Sequence, residues 1–230
     1  MTAGAVAIIL AAGSGERMGR GEAKAFIPIS GKAMLSLAVA GAAASRDVAS
    51  LVIAVPKGTE DRASALLGTD RPVTFIPGGR TRQESVALAL EAIPVDSHVV
   101  VCHDAARPFA SPALFSRVIE SLDEAEGAVP ILPIVDTVKR VGDGMLVTTE
   151  PRERLGLAQT PQAFRGDVLR DAHDRAVASG TVFTDDAALV EWAGYSVRAV
   201  PGEVENFKVT NPMDLARAEL MLEASRPQSR

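Results

Sequence analysis

The chain has 230 residues, 47% of them hydrophobic, and a net charge of −5. A chain of this length and apolar content buries a sizeable core, which excludes a disordered protein and fits one α/β domain over 1–230. Its acidic balance argues against a general nucleic-acid or membrane-surface binder, while leaving room for a local basic pocket.

No basic region precedes the first apolar run, and that run is too short to span a bilayer. The expectation is a cytoplasmic protein without a signal peptide or anchor. The run, Ile8-Ile9-Leu10, reads as a buried strand and stops at Ala11-Ala12-Gly13-Ser14-Gly15, with Arg17 and Lys24 shortly after. A loop of such small residues lets backbone N–H groups close on a phosphate or a flat base. Arg17 and Lys24 would add full charge where a polyphosphate lies. The spacing is neither G-x-G-x-x-G nor a Walker A loop, and an ordinary strand-to-helix turn remains the plain alternative.

Positions 33–44 are rich in Ala, Leu and Val and predict a helix; 51–55 predict a strand closed by Pro56. A helix at 61–67, a strand at 73–76 ending in Pro77-Gly78-Gly79, and a helix at 82–92 with Val86, Leu90 and Ile93 on one face follow. The loop from Gly78 to Ser85 could use its glycine backbone and the Ser85 hydroxyl to read a base edge. It also fits a helix start with Thr81 as cap and Glu84 at the capping-box position.

Positions 98–102 form an apolar strand whose lone Cys102 reads as a core thiol in a reducing compartment. The strand runs into His103-Asp104-Ala105-Ala106-Arg107-Pro108. Asp104 could hold Mg²⁺, which favours one or two carboxylates plus substrate phosphates, or serve simply as an N-cap or turn aspartate. Arg107 could bind phosphate or pair with Asp104, and His103 reads as a structural hydrogen-bonder. Ser111-Pro112 starts a helix to about 124, and 128–135 is a further apolar strand. Strands alternating with helices, in continuous apolar runs, argue for a mostly parallel twisted sheet with helices on both faces. Ligands in such sheets sit beyond the carboxyl ends of the strands, where these polar motifs fall.

At about 137–154 the pattern changes. Positions 138–141 and 145–149 flank Gly142-Asp143-Gly144, a hairpin signal. It reads as a protruding arm that packs on a second subunit, or as a surface loop. Strand character returns at 157–164, helices at 165–178 and 185–192, and a strand at 195–200. Capping explains Thr184 cheaply. Lys208 lies in a short β-like segment before a last helix opened by Asn211-Pro212. No nucleophile triad, metalloprotease motif or cysteine pair is present. Glycine loops, scattered cations and one well-placed aspartate fit phosphate chemistry done by positioning and charge neutralisation.

The first loop with Lys24 resembles the signature of sugar-nucleotide pyrophosphorylase-like nucleotidyltransferases. Further segments narrow the resemblance: Gly78-Gly79 with Arg82 and Ser85, His103 to Pro108, Asp136-Thr137 with Lys139, Thr160-Pro161-Gln162 with Phe164, Thr184-Asp185, and Asn206 to Thr210. In that order they resemble the 2-C-methyl-D-erythritol 4-phosphate cytidylyltransferase family of non-mevalonate isoprenoid biosynthesis. Ala23 stands where that family commonly has proline, Arg80 where it is often acidic, and Asn211 where a basic residue is common.

The resemblance implies CMP transfer from CTP to 2-C-methyl-D-erythritol 4-phosphate with loss of pyrophosphate. It implies Arg17, Lys24 and Lys208 as stabilisers of the transition-state charge. Ala11, Ala12, Gly13, Ser14, Gly15, Gly79, Arg80, Ser85, Asp104 and Ala105 would surround the nucleotide. Asp104, Arg107, Thr137, Arg152, Thr160, Thr184, Lys208 and Thr210 would hold the acceptor. Mg²⁺ would sit at Asp104, and the arm would make a homodimer across which Thr137 and Arg152 reach. A cytidylyltransferase for another polyol phosphate, such as ribitol 5-phosphate, and a non-catalytic nucleotide-binding protein are the alternatives.

Overall fold

The computed structural model describes residues 4–13 and 23–224. Strand β1 (Ala5–Leu10) is followed by a 3-10 turn at Lys24–Phe26 and a short ladder of β2 (Pro28–Ile29) with β3 (Lys32–Ala33). Then come α1 (Met34–Ala44), β4 (Val48–Val55), α2 (Glu60–Ser64), β5 (Val73–Pro77), α3 (Arg82–Glu91) and β6 (Val99–Asp104). Next are α4 (Pro112–Glu120), β7 (Gly127–Pro133), β8 (Val138–Gly142), β9 (Met145–Glu150), β10 (Gly156–Ala158) and β11 (Gln162–Arg165). The chain continues through α5 (Gly166–Ser179), α6 (Asp186–Trp192), β12 (Val197–Pro201) and α7 (Pro212–Ala224).

The main sheet runs β5-β4-β1-β6-β11-β7-β12 in space, with β10 on the same edge of β7 as β11. Strands β1, β4, β5, β6, β7 and β12 are parallel, and β10 and β11 run against them. Successive residues of β1 point to opposite faces. Ala7 and Ile9 join a cluster with Leu35 and Val39 of α1 and Phe115 of α4. Val6 and Ile8 join another with Val86 of α3, Leu169 of α5 and Leu189 of α6. Both faces are covered, which is why the strands read as unbroken apolar runs.

The chain runs from β1 outward to β4 and β5, then returns to place β6 on the other side of β1. The crevice of such a sheet opens at this reversal, beyond the carboxyl ends of the strands. Leu10 and Asp104 are register partners there. The helix starts follow their capping residues. The Ser111 hydroxyl accepts the Leu114 N–H at 3.1 Å, and the Asn211 side chain accepts the Asp214 N–H at 3.0 Å.

Strands β8 and β9 form the expected hairpin as a separate two-stranded sheet. Its turn has positive φ at Asp143 (50°) and Gly144 (78°), the conformation that twists a tight hairpin correctly. Val141, Met145, Leu146 and Val147 are exposed on it.

Some expectations need correction. The single strand at 157–164 is two, β10 and β11, because Pro161 has no N–H for a ladder. The helix at 61–67 is the five-residue α2, which buries only Ala63. Residues 205–210 form no strand; the Val209 N–H instead donates to the Ala106 carbonyl at 2.8 Å. The ladder of β2 with β3 was not expected, since two-residue strands carry no periodicity.

Candidate active site

Strand β6 ends in His103 and Asp104, both buried. The Asp104 N–H donates to the Thr160 hydroxyl at 3.0 Å, and that hydroxyl stands 3.0 Å from His103 Nδ1. His103 Nε2 lies 3.1 Å from the Arg107 carbonyl. The Arg107 carbonyl can only accept, so a neutral ring carries its proton on Nε2 and its Nδ1 accepts from the Thr160 hydroxyl. Burial pushes the His103 pKa down to about 4, so the ring is neutral and structural.

The Asp104 carboxylate is held from two sides. Oδ1 accepts Arg82 Nε at 3.1 Å, and Oδ2 accepts Lys208 Nζ at 2.6 Å. Burial alone would raise its pKa, but the Arg82 and Lys208 charges prevail and hold it well below the usual carboxylate range. Arg82 in turn makes an ion pair from Nη2 to Asp186 Oδ2 at 2.7 Å. Asp186 is likewise opposed by burial, yet Arg82 foremost and then His173 bring its pKa down to about 2.

Two cavities meet at this carboxylate. The larger, about 570 Å³, is walled by Leu10 to Gly13, the Gly79–Arg82 loop, Ser85 and Ala105, together with Lys24 and Thr210. The smaller, about 210 Å³, is lined by Arg107, Gln159, Thr160, Gln162, Thr184 and Asp185. Arg82, Asp104 and Lys208 line both. Two loops of the larger wall are close-packed: a Cβ on Gly78 would stand 2.2 Å from the Ala12 Cβ, so only glycine lets them approach. The Ser85 hydroxyl accepts the Gly79 N–H at 3.0 Å and donates to the Thr81 carbonyl at 2.9 Å, fixing this loop. Its proton is therefore engaged within the loop.

Ala11, Ala12, Gly13, Gly79, Arg80, Ser85 and Ala105, expected around a nucleotide, thus share the larger cavity with Lys24. Ser14, Gly15 and Arg17 lie outside the described residues. Arg107, Thr160 and Thr184 share the smaller cavity, whereas Thr210, expected with them, lines the larger. The Thr210 hydroxyl donates to Asp214 at 2.6 Å. Thr137 and Arg152 line neither cavity; Thr137 is exposed and the Arg152 guanidinium donates to the Val135 carbonyl.

Arg107 does not pair with Asp104. Its guanidinium donates to the Asn206 carbonyl at 2.9 Å and the Ala158 carbonyl at 3.2 Å, tying two loops together. Asn206 does not reach Asp104 either; its amide donates to the Thr160 carbonyl at 2.8 Å. Thr81 caps α3 as expected, accepting Glu84 N–H at 3.0 Å, but the Glu84 carboxylate returns to Arg80 N–H, one residue before the cap. Asp185, not Thr184, caps α6, accepting Ala188 N–H at 3.0 Å. Arg82 and Asp186 carried no assigned role in the sequence reading. The signal available was three polar residues, Thr184 to Asp186, at a helix start, where capping needs one.

Among the described residues no group of three or more His, Cys, Asp or Glu side chains could hold a metal unaided, and no helix is long and apolar enough to cross a membrane.

The model of one protein family, 2-C-methyl-D-erythritol 4-phosphate cytidylyltransferase, matches residues 5–224. The chain belongs to this family. A family member from Saccharopolyspora erythraea is 43% identical over 223 residues, covering 94% of this chain and 98% of that one. A bifunctional enzyme IspD/IspF from Bradyrhizobium sp. (strain ORS 278) is 42% identical over 95% of this chain, which spans only 56% of that longer protein. The crystal structure of the 2-C-methyl-D-erythritol 4-phosphate cytidylyltransferase from Thermus thermophilus superimposes with a TM-score of 0.79 at 37% identity, covering 94% of this chain and 98% of that one. The α/β fold with its mostly parallel sheet is the fold of that family.

Proposed function

We propose that the protein transfers CMP from CTP to the phosphate of 2-C-methyl-D-erythritol 4-phosphate, releasing pyrophosphate. The observation that carries this reading is a pair of cavities sharing one wall of Arg82, Asp104 and Lys208. A donor and an acceptor seated in the two would face each other across that wall, which supplies the proximity a two-substrate transfer needs.

In this reading CTP occupies the larger cavity. The Ala11–Gly13 and Gly79 backbones lie along the base and ribose, with Lys24 and Arg17 on the triphosphate. The acceptor phosphate occupies the smaller cavity, beside Thr160, Thr184 and Lys208. An acceptor phosphate oxygen attacks the α-phosphorus, the new P–O bond forms, and the bond to the bridging oxygen breaks with pyrophosphate taking its electron pair. Lys24, Arg17 and Lys208 oppose the negative charge that builds on the pentacoordinate phosphorus. No proton need move, because the attacking oxygen belongs to an ionised phosphate.

Mg²⁺ belongs to the proposal as a companion of the triphosphate. Asp104 suits it as a lone carboxylate, but Arg82 and Lys208 already occupy both oxygens, so phosphates would hold most of the ion. When bound it would neutralise phosphate charge. The exposed apolar arm supports a homodimer in which a partner's arm brings Thr137 and Arg152 to the acceptor. A reducing, cytoplasmic setting accords with the single buried Cys102.

Steady-state rates with 2-C-methyl-D-erythritol 4-phosphate and with ribitol 5-phosphate test the acceptor. The expected result is a higher kcat/KM for the methylerythritol substrate; equal or better turnover of ribitol phosphate would reject it.

A further inference from the structure

We propose that Arg82 and Asp186 are positioning residues for the transfer: Asp186 anchors the Arg82 fork, which holds one Asp104 oxygen so that the other is kept for Lys208. The ion-pair chain is continuous from Asp186 through Arg82 and Asp104 to Lys208, at 2.7, 3.1 and 2.6 Å. Only its last member is substantially exposed. Asp186 is 1% exposed and Asp104 7%, so the chain begins in the core and ends on the wall shared by the cavities.

The anchor itself is braced. Gln162 of β11 donates to Asp185 Oδ2 at 3.0 Å and accepts the Ala187 N–H at 3.2 Å, clamping the first turn of α6 on both sides of Asp186. His173 Nε2 stands 3.9 Å from Asp186 Oδ1. Such a buried charge pair is a poor device for stability, since apolar residues of equal volume commonly serve as well or better. Its geometry instead removes a freedom. A carboxylate held by Lys208 alone could rotate and take both oxygens to the lysine, drawing the ammonium off the line between donor and acceptor. With Nε on Oδ1 and Nη2 on Asp186, the planar arginine fork blocks that rotation in a way a lysine could not.

This inference rests on the cytidylyl-transfer reading. Its test is a double-mutant cycle of Asp186→Asn with Lys208→Met in the intact protein, folding verified by thermal melt, with kcat and both KM values measured. Asp186→Asn is expected to lower kcat about tenfold or more while the KM for CTP stays within about threefold. Because Asp186 acts through Lys208, the double variant should be no more than about threefold slower than Lys208→Met alone. Should Asp186→Asn fail to fold, Arg82→Lys, which keeps the charge and loses the fork, carries the same expectation. An inactive wild type rejects the transfer reading and this inference with it. With an active wild type, effects that multiply, or an unchanged kcat, overturn this inference alone.

Discussion

Lys24 and Lys208 line the larger cavity together with Asp104, and each has a distinct burden. Lys208 is paired with Asp104 at rest, so its charge is oriented before substrate arrives. Removing a group whose charge matters chiefly in the transition state lowers kcat and kcat/KM together. Lys24→Ala and Lys208→Ala should each lower kcat about a hundredfold or more, as for other lost transition-state donors. A change confined to KM in steady-state assays would contradict the role. His103 carries a different consequence. Its pKa of about 4 in the fold compares with about 6.5 in an unfolded chain. Between those values the unfolded chain binds the extra proton, so stability present above pH 6.5 is lost as pH falls toward 4. The loss is about 3 kcal/mol over that window, at about 1.4 kcal/mol per unit. Asp104 and Asp186 add losses of the same sign once pH falls below about 5, where an unfolded aspartate begins to take up protons. Urea unfolding at pH 7 and pH 4.5 checks this; His103→Gln should flatten the slope, and equal stabilities at both values would refute it.

At the scale of elements, the sheet was legible because its strands are buried on both faces. The runs at Leu51–Val55 and Val99–Cys102 contain no polar residue to misplace. The hairpin was legible from Gly142-Asp143-Gly144 between the runs at 138–141 and 145–149. The wall between the cavities was not, because it joins β6, α3, α6 and the loop after β12. No local pattern links Arg82 to Asp186, or Lys208 to Asp104; only the sheet order brings them together. The segment around Lys208 misled for a related reason: its Lys-Val-Thr composition favours a strand, but it forms no ladder and docks through the Val209 N–H on the Ala106 carbonyl instead. Gly78 and the arm give two predictions here. Gly78→Ala puts a methyl group into Ala12, and should raise the KM for CTP about tenfold with a smaller effect on the acceptor. A CTP KM unchanged from wild type would remove the close-packed loop pair from the account. Deleting the arm over 138–149 should abolish dimers and activity together, read by light scattering and assay; an active monomer would exclude a partner's contribution to the site.

On the scale of the whole molecule, the mostly parallel sheet does one thing for function: its strand order reverses at β1, so a crevice opens beyond the carboxyl ends of β1 and β6. Everything charged in the site hangs on that crevice, in a protein whose net charge is −5. The cations are drawn from distant parts of the chain to one place, where a bulk reading of charge does not register them. The sequence motifs pointed to Lys24, Asp104 and Lys208, and the fold adds Arg82 and sets them around two cavities with a common wall. Pyrophosphate release from CTP with Mg²⁺, measured with and without 2-C-methyl-D-erythritol 4-phosphate, tests that division most directly. Release is expected at one pyrophosphate per CTP consumed and only when the acceptor is present. CTP binding without release in the presence of acceptor would contradict the account.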